Sequence, residues 1–101
     1  MLPSPNLEST EAVKGDATSQ YVLGFKYSSG RGVPKSFETA VAWYRKSADQ
    51  GNVLGQFSLG TMYEYGRGVP KSEKTAVAWY RKAATQGDTD AKAALTRLGA
   101  P

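Results

Sequence analysis

Side chains able to carry a reaction are few in this chain of 101 residues. Histidine and cysteine are both absent. That removes Ser-His-Asp and Cys-His nucleophiles, thiolate chemistry, disulfide frameworks and almost every structural zinc site, since each needs an imidazole or a sulfur. What remains for acid–base work is nine carboxylates. Glycoside hydrolysis needs only two at a fixed separation, and Glu64 and Glu73 are the nearest candidates. The other acids are scattered over helix starts and ends and define no pocket. Asp88 and Asp90 fit a helix cap and its first-turn charge. No catalytic residue, cofactor or metal is therefore expected.

Two other constellations have ordinary explanations. Gly30-Arg31-Gly32 and Gly66-Arg67-Gly68 follow no strand and lack the G-x-x-x-x-G-K-[ST] and G-x-G-x-x-G patterns that cradle phosphates. They read as turns between antiparallel helices. Trp43-Tyr44 and Trp79-Tyr80 have the chemistry of base-stacking platforms, but they fall on a small-residue helical face and are expected in the core. Lys and Arg number 13 against nine Asp and Glu, for a net charge of +4. Eight of the 13 recur in register, at Arg31, Lys35, Arg45 and Lys46 and at Arg67, Lys71, Arg81 and Lys82. The basic excess thus belongs mostly to a periodic framework.

That framework is a repeat, and its period fixes the elements. A shift of 36 residues sets 15–50 against 51–86 without a gap, with 22 identical positions. The longest shared blocks are GRGVPKS and TAVAWYRK. A third copy starts at Gly87 and ends near Gly99. Within each unit, Gln20, Leu23, Gly24 and Tyr27, and likewise Gln56, Leu59, Gly60 and Tyr63, have i, i+3, i+4, i+7 spacing and predict a first helix, A. The glycine-rich turn follows. Ser36 and Ser72 then stand at the N-cap of a second helix, B, with Glu38 and Glu73 in its first turn. Helix B is expected to bury Ala40, Trp43, Tyr44 and Ala48 in one unit and Ala76, Trp79, Tyr80 and Ala84 in the other. It stops at Gln50-Gly51 and Gln86-Gly87, a glycine C-cap signal. Antiparallel helix pairs stacked in series make an all-α solenoid. The expected organisation is an N-terminal lid segment over 1–14, repeats over 15–50 and 51–86, and a half-repeat cap over 87–101, together one domain. In the cap, Ala91, Ala94, Leu95 and Leu98 should face inward, with Lys92 and Arg97 outward.

The string LG-x-x-Y-x-x-G-x-G-V, a cap, then A-x-x-W-Y-x-K-x-A-x-Q-G resembles the Sel-1-like repeat, a relative of the tetratricopeptide repeat. It occurs twice, and the resemblance covers residues 15–98. It implies a non-catalytic interaction module. Some bacterial members resemble immunity proteins that neutralise toxins, so an immunity-type inhibitor is the alternative reading, and nucleic-acid binding through the basic stripe is a third. The chain departs from the family pattern in having Ser36 and Ser72 at the usual cap Asp and in lacking the cysteine pairs of some secreted members.

Differences between the two copies suggest where a partner would bind. Val22, Phe25, Lys26 and Ser29 differ from Ser58, Thr61, Met62 and Tyr65, and they lie about 200° around helix A from its matching face. By the same resemblance these eight residues line the concave groove and bind a protein partner, with Phe25, Met62 and Tyr65 as partly exposed anchors. The competing expectation is that Phe25 packs on the N-terminal segment through Leu7 or Val13. A solenoid usually needs about three repeats, and residues 7–14 form only a short lid, so a weak homodimer through that end is also expected. No apolar run approaches the roughly 18 residues that span a bilayer, and the opening MLPSPNLEST has no signal-peptide pattern. The chain is expected to be soluble, with its compartment left open: cytoplasmic, or periplasmic if a leader has been removed.

Overall fold

From the second helix onward, the fold follows from helices that are capped at both ends by the residues at their boundaries. In the computed structural model, residues 7–100 are described; the part of the expected lid over 1–6 lies outside them. The order is α1 (Leu7–Val13), α2 (Ala17–Ser29), α3 (Phe37–Asp49), α4 (Val53–Tyr65), α5 (Glu73–Thr85) and α6 (Thr89–Arg97). Ser36 and Ser72 accept the backbone N–H of Thr39 and Thr75, as expected of N-caps. Asp16, Asn52 and Asp88 do the same for α2, α4 and α6. Gly30 and Gly66 close α2 and α4 in the left-handed conformation, at φ 74° and 66°, which favours glycine over any residue with a Cβ.

Each helix packs on the next, and α2 also touches α4, giving an elongated body of 46 × 24 × 17 Å. This is the expected all-α solenoid: α2–α3 and α4–α5 are the hairpins, α1 precedes them and α6 closes the C-terminal end. Two small cores fill the stack. One gathers Ala40, Val41, Tyr44, Ala48, Leu59 and Met62, the other Ala76, Tyr80, Ala83, Ala91, Ala94 and Leu95. A polar ladder ties A to B at the same place in each unit. Gln50 Nε2 donates to Gln20 Oε1 and to the Gly15 carbonyl, and Gln86 Nε2 to Gln56 Oε1 and the Gly51 carbonyl, all at 2.8–2.9 Å.

The buried face of helix B is rotated from expectation. Trp43 and Trp79 are only half-buried, as is Ala84, while Val41, Ser47 and Ala83 are buried. The reason is that helix B is sandwiched between its own helix A and the next one. The tyrosine takes the centre of that sandwich, and the indole is left at the edge under a lysine: Lys46 Nζ lies 5.4 Å from the Trp43 ring centroid and Lys82 Nζ 4.7 Å from that of Trp79. In α6, Ala91, Ala94 and Leu95 are buried and Lys92 is exposed, but Leu98 is half-buried. Arg97 does not simply point outward. Its guanidinium forms a two-pronged ion pair with buried Glu64 of α4, at 2.5 and 3.0 Å.

Candidate functional site

A groove of about 320 Å³ opens on the faces of α2 and α4. From α2 it takes Tyr21, Phe25 and Ser28, an i, i+4, i+7 stripe. From α4 it takes Leu54, Phe57, Ser58, Thr61 and Met62. Its floor is Tyr44 of α3, which reaches up between the two A helices because Gly24 leaves room: a Cβ there would fall 2.6 Å from the Tyr44 ring. Tyr44 stacks on Tyr21 with centroids 6.0 Å apart. Burial pushes the Tyr44 hydroxyl up to about 12, against hydrogen bonds with Ser28 and Ser58 that favour the phenolate. The floor is therefore neutral at any physiological pH. Phe25 and Leu54, 42% and 44% exposed, form its accessible apolar surface.

Of the eight residues expected to line this groove, the structure brings Phe25, Ser58, Thr61 and Met62 to it. Val22, Lys26, Ser29 and Tyr65 do not line it. Val22 and Lys26 are half-buried, and exposed Ser29 turns its hydroxyl back to the Phe25 carbonyl. Tyr65 is 53% exposed, beneath the Arg67 guanidinium. Met62 is not partly exposed but buried, at 3%, in the core with Ala40, Val41 and Tyr44. Met62 thus packs on α3, the helix that precedes α4. As for Phe25 and the lid, Val13 is 77% exposed, and the Leu7 side chain lies outside the described residues.

Sequence reasoning missed Tyr21, Ser28, Tyr44, Leu54, Phe57, Arg67 and Asp90 as lining residues. The available signal was an aromatic at the same repeat position in both units, Tyr21 and Phe57, one residue before the divergent Val22 and Ser58.

The two carboxylates singled out in the sequence have different settings. Glu64 is buried and held by Arg97, and Tyr80 Oη donates to it at 2.7 Å. The hydrogen bond from Arg97 above all keeps its carboxyl below the usual carboxylate range, against burial, which pushes the other way. It is an ionised structural anion. Glu73 is exposed in the first turn of α5. Among the described residues no group of Asp and Glu could hold a metal ion, and no helix is long and apolar enough to cross a membrane.

The Sel1 repeat model matches residues 17–52 and 53–88, the same 36-residue period in two consecutive copies. The chain belongs to the Sel1 repeat family. Solved structures of Sel1-type proteins share its fold. A Sel1 repeat protein from Oxalobacter formigenes is 42% identical with a TM-score of 0.88, over 90% of this chain and 26% of that one. A protective antigen of uropathogenic Escherichia coli is 37% identical with a TM-score of 0.81, over 87% of this chain and 19% of that one. Cysteine-rich protein B of Helicobacter pylori is 31% identical with a TM-score of 0.82, over 87% of this chain and 66% of that one. The chain thus spans about a quarter or less of the first two and under two thirds of the third. No curated protein matches it in sequence. Sel1 repeat proteins are generally protein-interaction modules and typically non-catalytic.

Proposed function

We propose that this Sel1 chain is a non-catalytic module that takes a segment of a protein partner in the groove between α2 and α4. The observation that carries the reading is the exposed apolar pair Phe25 and Leu54 beside an open hollow floored by aromatic rings. Of the eight residues first assigned to partner binding, Phe25, Ser58 and Thr61 remain as groove contacts; Val22, Lys26, Ser29 and Tyr65 are flanking positions, and Met62 acts from beneath.

A photo-crosslinking amino acid placed at Phe25 or Leu54 should trap the same partner, while one at Ala42, exposed on α3, should trap none. Crosslinks from Ala42 alone would reject the groove. An immunity-type inhibitor of a bacterial toxin would use the same surface, and there the trapped partner would be an enzyme whose activity falls in proportion to added chain. Weak self-association through the N-terminal end would cover Val13, the most exposed large apolar residue among the described residues. Sedimentation at rising concentration reads it, and a strict monomer dismisses it.

A further inference from the structure

The groove is apolar along its floor and cationic at one end. Arg67 lines it just beyond the C-terminus of α4, its guanidinium 5.3 Å from the Tyr65 ring centroid and 5.8 Å from that of Phe37. The matching turn of the first repeat sets Arg31 5.4 Å over Phe25, itself a lining side chain. Both arginines are exposed, and the same turns carry exposed Lys35 and Lys71 with no acid in either. Among the described residues the ion pairs are Lys14 with Glu11 and Arg97 with Glu64, so no carboxylate neutralises Arg31 or Arg67. A guanidinium held over an aromatic face keeps its charge and its in-plane N–H fork available to a carboxylate. The other charged lining residue, Asp90, shares repeat register with Leu54 and so sits at the N-terminal end of the groove. The hollow is thus electrically polar along its length.

We propose, resting on the groove reading above, that the segment it takes is a short extended acidic peptide: one large apolar side chain fills the hollow, and an Asp or Glu nearby meets Arg67 and Arg31. The stripe from Tyr21 to Ser28 covers about 10 Å of helix at 1.5 Å per residue, which matches roughly three extended residues. The acid therefore falls within about three residues of the anchor. Because the two arginines are exposed, the charge term acts mainly on selectivity and association rate and weakens with salt.

Panning a phage-displayed library of random octapeptides on the whole chain at about 0.15 M salt tests this directly. The enriched peptides should carry Asp or Glu within three residues of Phe, Trp or Leu. Panned on Arg67→Glu, the preference should turn to Lys or Arg at that position, and the original peptides should lose about tenfold or more in affinity, with the melting temperature unchanged. Enrichment of neutral or basic peptides, or an acidic preference that survives Arg67→Glu, overturns the acidic partner. The double variant Phe25→Ser/Leu54→Ser separates the two readings. If apolar enrichment depends on those residues but shows no acid, the groove stands and its acidic partner falls. If enrichment ignores them, or no peptide is selected, both fall. A single-stranded oligonucleotide that displaces the selected peptides would replace the acidic peptide by nucleic acid.

Discussion

Gly60→Ala sets two well-known effects against each other, and the structure says which wins. On helix propensity alone the change stabilises α4 by about 1 kcal/mol, because glycine is the costlier residue in a helix interior. A Cβ at Gly60, however, would lie 2.8 Å from two ring carbons of Tyr80 and 3.3 Å from the Ala76 carbonyl. That is about 0.6 Å short of ordinary contact with the ring. The ring cannot yield easily: Tyr80 is 1% exposed, and its hydroxyl is fixed to Glu64. With the ring pinned, forcing α4 and α5 apart falls in the upper part of the usual overpacking cost, about 2–3 kcal/mol, so the net effect is about 1–2 kcal/mol of destabilisation. In a domain of this size that lowers the melting temperature by roughly 5–15 °C. Thermal unfolding followed by circular dichroism measures it. Gly60→Ala/Tyr80→Leu should lose less than the sum of the single changes, since the shortened side chain vacates the space. A Gly60→Ala protein that melts at or above the parent would refute the close-approach argument and leave propensity as the dominant effect.

Other consequences are equally direct. Met62→Ser should cost about 2–4 kcal/mol, because it empties a buried core position, whereas Phe25→Ser and Leu54→Ser should leave the melting temperature nearly unchanged. Trp79→Ala, at a half-buried edge, should destabilise distinctly less than Tyr80→Ala, which should cost about 3–5 kcal/mol; equal losses would contradict the placement of the indole. The Glu64 carboxyl titrates lower folded than unfolded, so its stabilisation is complete above its unfolded value near 4.3 and is lost as pH falls through the folded one. Urea midpoints taken from neutral pH into the acid range should therefore fall more steeply for the parent than for Glu64→Gln, and parallel curves would dismiss the contribution.

The sequence alone determined the period, the helices and their ends, because these depend on local physics: serine caps, left-handed glycines and apolar residues at helical spacing act within one turn of themselves. The order of stacking followed, since a 36-residue unit with one apolar face on each helix can bury it only on its neighbours. Rotation about each helix axis was decided by tertiary structure. Trp79 and Tyr80 are adjacent and similarly apolar, and only the glycine opposite, Gly60, selects the tyrosine for the centre. Met62 and Lys26 occupy equivalent positions, and it is packing against Ala40, Val41 and Tyr44 of α3 that buries Met62. Glu64 reads as a surface acid until α6 brings Arg97, 33 residues later, against it. The groove likewise exists only where two A helices run side by side over Tyr44. Its lining is therefore fixed by four helices and a turn at once, a relation that spacing within any one of them does not encode.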